Sequence, residues 1–77
     1  MATEKELLKD LRKWIDEYLE ADEDVYRLQQ IISELSKGGQ SPSLSFSKEF
    51  DDAKQRVETA LNNMRGIQEK LAKHITD

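Results

Sequence analysis

The sequence predicts an all-α protein: an antiparallel two-helix hairpin with a coiled-coil-like heptad seam. Two observations carry this prediction. Non-polar residues recur at alternating spacings of four and three residues in both halves of the chain, and a single stretch rich in helix-breaking residues separates the halves. A repeat of about 3.5 residues is typical of helices that pack together along their length. We expect one domain, residues 1–77, which forms a single hairpin. Two such hairpins from separate chains are expected to assemble into a four-helix bundle.

The first helix is predicted over about residues 3–36. Thr3 and Glu6 have the spacing of a capping box, in which the threonine side chain accepts from a free backbone N–H group. Gly38 and Gly39 end the helix, because glycine readily adopts the left-handed conformation that terminates many helices. The seam positions of this helix are Leu7, Leu11, Trp14, Tyr18, Ala21, Val25, Leu28, Ile32 and Leu35.

A connection over about residues 37–46 contains two of the three glycines and the one proline. The second helix is predicted over about residues 47–76, with Ser47 as its N-terminal cap. Ser47 is favoured because Glu49, Asp51 and Asp52 would then lie in the first turn, where negative charge is favourable. The seam positions of this helix are Phe46, Phe50, Ala53, Val57, Ala60, Met64, Ile67, Leu71 and His74.

Flanking charges choose between two registers, in which the numbers of paired residues sum to 78 or to 85. Each exposed ion pair contributes only about 0.2–1 kcal/mol. Several pairs that favour the same alignment can nevertheless decide between two similar alignments. We predict the register that sums to 78. It brings together three oppositely charged pairs, which are Asp10 with Lys70, Asp22 with Lys54, and Asp24 with Arg56.

Six carboxylates fall within residues 16–24, but the seam passes through this stretch and turns Tyr18 and Ala21 inward. The carboxylates therefore lie on outer and flanking positions. They lack the glycine and the ligand spacing of a calcium loop. We interpret them as a solvated acidic face, with a docking patch for a basic partner as the alternative. This acidic patch consists of Asp16, Glu17, Glu20, Asp22, Glu23 and Asp24.

Five large non-polar residues lie outside the seam and cluster in the half of the hairpin that carries the termini. Burying one Leu or Ile side chain contributes about 1.5–3 kcal/mol, so together they form a substantial association surface. The alternative is that they only widen the intramolecular apolar face. The predicted partner-binding residues are Leu8, Ile15, Leu19, Leu61 and Ile75.

Four residues outside these surfaces allow weaker predictions. Leu44 and Phe46 are expected to fold back over the closed end near Ile31 and Leu35, and the alternative is that they form a loop anchor for a partner. His74 is expected to be structural, because a lone histidine has no catalytic partners. Gly66 marks either a close approach by another backbone or a tolerated weak point of the second helix.

Composition narrows the function. The chain has no cysteine, one histidine, a net charge of −4 and 36% charged residues, so we expect a cytoplasmic protein with no metal, cofactor or nucleic-acid partner. No apolar run approaches the roughly 20 residues of a membrane span, and no catalytic residues are predicted. We expect a homo-oligomer that acts as a non-enzymatic interaction module through helix packing, as a structural or adaptor subunit. The alternative is a small regulator, inhibitor or secretion co-chaperone that binds a helical surface of another protein.

Overall fold

In the computed structural model the chain is a helical hairpin. The structure describes residues 3–76, with side chains up to His74. Helix α1 spans Glu4–Lys37 and helix α2 spans Leu44–Thr76. The two helices pack against each other and form a rod that measures 58 × 16 × 15 Å. The predicted all-α hairpin is therefore confirmed, and residues 3–76 contain no strand.

Helix α1 begins where the capping box predicts. The Thr3 side chain accepts a hydrogen bond from the backbone N–H of Glu6 at 3.2 Å, and Glu4 and Glu6 lie in the first turn. The Thr3 carbonyl also accepts from the Leu7 N–H at 3.0 Å, which starts the helical ladder. Acidic residues are favourable here because the free N–H groups give this end of a helix a partial positive charge.

Helix α1 ends in a Schellman motif around its two glycines. The N–H of Gln40 donates to the Leu35 carbonyl at 2.8 Å, and the N–H of Gly39 donates to the Ser36 carbonyl at 3.1 Å. This hydrogen-bond pattern requires a left-handed residue just after the helix. Gly39 supplies it with a φ of 75°, whereas Gly38 has a φ of −82°.

We expect Gly39→Ala to lower the free energy of unfolding by about 1 kcal/mol, because an added Cβ is strained at positive φ. Gly38→Ala is the matched control. Its added Cβ would meet only the carbonyl oxygens of Leu35 and Glu34, at 3.6 and 3.8 Å, so no loss is expected. Urea unfolding at one protein concentration compares the two variants, and equal losses would contradict this account of the turn.

Helix α2 begins at Leu44, so the prediction that Ser47 caps it was wrong. Ser43 is the cap: its side chain accepts from the Phe46 N–H at 3.2 Å, and its carbonyl accepts from the Ser47 N–H at 3.0 Å. Ser43 directly follows Pro42, and it can cap the helix one turn earlier than Ser47 can. The connection is therefore residues 38–43, shorter than the predicted 37–46.

The core is narrow and consists of residues from both helices. Within the described part of the chain, every residue predicted to face the other helix is buried or half-buried except His74, which is exposed. Three of the six buried residues are alanines, which allow two helices to approach closely. The six are Leu7, Ala21, Leu28, Ala53, Ala60 and Ile67.

The ion pairs of Arg56 report how the helices are aligned. Its guanidinium lies 3.2 Å from an oxygen of Asp24, 3.9 Å from Glu17 and 4.0 Å from Glu20. The predicted contact of Arg56 with Asp24 is therefore confirmed. Arg56 thus lies beside residues 17–24, as expected when paired numbers sum to 78. The alternative register would have placed Arg56 opposite Gln29.

The other two predicted pairs between the helices were wrong. Lys54 instead pairs with Asp51 of its own helix at 3.7 Å and forms no ion pair with Asp22. Asp10 and Lys70 form no ion pair in the described part of the chain either. Exposed ion pairs are weak, so a nearby residue three positions away competes effectively with one across the seam.

Candidate protein-interaction surface

Four large side chains form an exposed apolar strip along α1, called the α1 strip below. Leu8 is 51% exposed, Ile15 37%, Leu19 57% and Tyr26 65%. They are separated by seven, four and seven residues. Because an α-helix turns by about 100° per residue, these separations place all four on one face of the helix. Apolar side chains that line up in this way form a surface suited to another helix.

The α1 strip is distinct from the face that packs on α2. Leu8 and Ile15 each follow a residue of the packed face, Leu7 and Trp14 respectively. One residue corresponds to a rotation of about 100° around the helix axis. Helix α1 therefore has two apolar faces roughly at right angles, one covered by α2 and one exposed.

Tyr26 is the member of the strip that the sequence prediction missed. It lies eighteen residues after Leu8, a separation of about five full turns, which returns to the same face of a helix. That spacing was the available signal, and it extends the surface toward the closed end. Ile31 is also 41% exposed, but five residues after Tyr26 it lies on a different side of α1.

Leu61 of α2 lies at the level of the middle of the α1 strip along the rod. It is 37% exposed. Arg56 contacts residues 17–24 of α1. The two helices run antiparallel, so Leu61, five residues after Arg56, lies about five residues before the middle of this stretch on α1, at the level of Ile15. The side chain of Ile75, the fifth residue predicted for this surface, lies outside the described residues.

The structure divides the predicted acidic patch into two groups. Glu17, Glu20 and Asp24 surround Arg56, and Asp24 also pairs with Arg27 at 3.4 Å. The carboxylates of the first group thus contact α2 through Arg56. The remaining three are exposed and are Asp16, Asp22 and Glu23.

The predicted packing of Leu44 over the closed end was wrong. Leu44 is 89% exposed in the first turn of α2. Phe46, two residues later, is half-buried. The early start of α2 explains the difference, because helical geometry turns Leu44 away from the side that contains Phe46.

Comparison with protein-family models, curated proteins and solved structures finds no match to this chain. Within the described residues, no helix is long and apolar enough to cross a membrane. No group of three or more histidine, aspartate or glutamate side chains in that part of the chain could hold a metal ion. The fold and surface define the chain as a helical hairpin with an exposed apolar strip.

Proposed function

We propose that this chain is a non-enzymatic protein-interaction module that self-associates through helix packing, as a hairpin that pairs into a four-helix bundle. We also propose that α1 and α2 pack through a heptad seam. The observation that carries the proposal is the α1 strip, in which Leu8 and Leu19 are each more than half exposed. Aligned apolar side chains of this size are favourably buried against a partner.

The amount of exposed surface supports association. The chain exposes 6247 Å². A compact monomer of the same mass, 8.9 kDa, would expose about 4,800 Å² by the usual scaling of surface with mass. Specific interfaces bury about 800 Å² on each partner. The excess surface of the rod is therefore sufficient for one such interface.

The two apolar faces of α1 also fit a four-helix bundle. In such a bundle each helix contacts two neighbours, which lie in directions roughly at right angles. Helix α1 presents one apolar face to α2 and a second about 100° away. A helix that needed only one neighbour would gain nothing from exposing Leu19 and Tyr26 in line with Leu8.

A binding role accounts for the described groups better than catalysis does. Catalysis requires polar groups that converge in a concave, partly desolvated site. Here the polar cluster around Arg56 lies on the outside of a rod, and the side chain of Arg56 is 46% exposed. Its carboxylate partners neutralise it and align the helices. This arrangement supports a scaffold whose working surface is apolar.

Leu19→Asp tests the proposal. Each dimer would contain the change twice, so we expect its dissociation constant to rise on the order of 100-fold or more. Leu44→Asp is the matched control, since Leu44 is 89% exposed but is not part of the α1 strip. It should associate like the wild type. Sedimentation equilibrium measures association, and circular dichroism should show that both variants remain helical.

Equal association of the wild type and Leu19→Asp would contradict the proposed surface. A wild-type chain that stays monomeric would contradict self-association. That result would favour the second candidate function, a small regulator whose apolar strip is covered by a helix of another protein.

A further inference from the structure

We propose that the α1 strip is covered by α1 of a second copy of this chain, which runs antiparallel and is related to the first by a two-fold axis at the level of residue 17. In this arrangement Arg12 of each copy pairs with Asp22 of the other. The inference rests on the proposed self-association and adds to it the partner, the orientation and the residues that specify both.

The spacing of the strip is the first support. Its separations of seven, four and seven residues read the same from either end. Two antiparallel copies can therefore place Leu8 against Tyr26 and Ile15 against Leu19, so that every apolar residue meets another. A two-fold contact requires this kind of self-complementarity, because the same patch serves on both sides. A strip that recognised an unrelated helix would not need it.

Two charged residues complete the same pattern. Arg12 and Asp22 lie in the gaps of the strip, so that six positions from Leu8 to Tyr26 alternate in spacing of four and three residues. This is the repeat of a second packing face on one helix. The antiparallel alignment that matches the apolar residues also brings Arg12 opposite Asp22 of the second copy. Opposite charges within a helix interface specify register and orientation.

The hairpin leaves both charges available. Arg12 and Asp22 are exposed, and neither forms an ion pair with another described residue. By contrast, the nearby carboxylates of Glu17, Glu20 and Asp24 are all engaged by Arg56. Asp22 points away from that cluster because it lies on the face of the α1 strip.

The flanks of the same alignment are mixed in charge. Lys9 of one copy comes near Glu23 of the other, which is favourable at the rim of an interface. Asp16 of one copy comes near Asp16 of the other at the two-fold axis, and the two like charges repel. Parallel pairing would be worse, since it would place Arg12 against Arg12 and Asp22 against Asp22. Charge complementarity therefore favours the antiparallel pair.

Charge exchange tests the pairing. Arg12→Glu and Asp22→Arg each replace two attractive contacts per dimer by two repulsive ones, so we expect each variant alone to dimerise at least about ten-fold more weakly. An equimolar mixture of the two variants restores both contacts and should form a heterodimer, identified by native mass spectrometry. The double variant, with both changes in one chain, should dimerise like the wild type.

Lys48→Glu is the control for net charge, because Lys48 is exposed on α2 and lies outside the strip. It should not weaken the dimer. If the wild type and both single variants dimerise equally, the antiparallel pairing is overturned while self-association stands. Failure of both the mixture and the double variant to restore dimers also overturns the pairing. A monomeric wild type overturns the pairing and the proposed function together.

Discussion

Leu28→Ala is expected to lower the free energy of unfolding by about 2–4 kcal/mol, the range typical of a buried leucine that leaves a cavity. Leu28 is a residue of α1 that is only 4% exposed, and its side chain is buried on the side that packs against α2. Small domains are stable by only about 5 kcal/mol or little more, so the change should remove much of the total stability. Leu28 is one of three large side chains among the six buried residues of the described chain, so its loss removes a substantial part of the core.

Leu44→Ala is the matched control for this prediction. It removes the same atoms from a leucine that is 89% exposed, and it should change the free energy by less than about 0.5 kcal/mol. Urea unfolding followed by circular dichroism compares the variants. Protein concentration must be held constant, because dissociation of a dimer contributes to its apparent stability. Similar effects of the two substitutions would show that Leu28 is not part of a core.

Ala21→Leu is expected to destabilise the hairpin by about 1–3 kcal/mol, as overpacking of an interior position does. Ala21 has no exposed surface, and the small residues Ala53 and Ala60 are also buried between the helices. A leucine at position 21 would have to push the helices apart or adopt a strained rotamer. Both responses disturb contacts along the rod.

Ala72→Leu is the control for Ala21→Leu, because Ala72 is an exposed alanine of α2. Alanine and leucine have similar helix propensities, so this change should be within about 0.5 kcal/mol of neutral. Thermal unfolding at one concentration measures both variants. If Ala21→Leu is as stable as the wild type, the space between the helices is larger than the structure indicates.

The sequence predicted the features that depend on strong local chemistry. Thr3 caps α1 because its side chain accepts from the backbone N–H of Glu6. Gly39 ends α1 because glycine adopts its left-handed backbone conformation without strain. The inward positions of Leu7 and Leu28 also followed from the pattern, since burial of large side chains dominates the energetics of a hairpin.

Features governed by small energy differences were not predicted correctly. Ser43 and Ser47 are both good caps, and nearby acidic residues favoured the wrong one. Lys54 was predicted to pair with Asp22 of α1 and instead pairs with Asp51 of its own helix. Exposed ion pairs differ by only a few tenths of a kcal/mol, so a sequence pattern cannot rank them. Tyr26 was missed because it lies outside the seam, where an amphipathic tyrosine is a weaker apolar signal than Leu or Ile.

The measurement that tests self-association most directly is the mass of the wild-type chain in solution. Sedimentation equilibrium across a dilution series from about 100 to 1 µM covers the range in which a dimer of moderate affinity dissociates. We predict a species of twice the chain mass of 8.9 kDa at the upper end of the series. A single species of 8.9 kDa at every concentration would contradict the claim that a second copy covers the α1 strip.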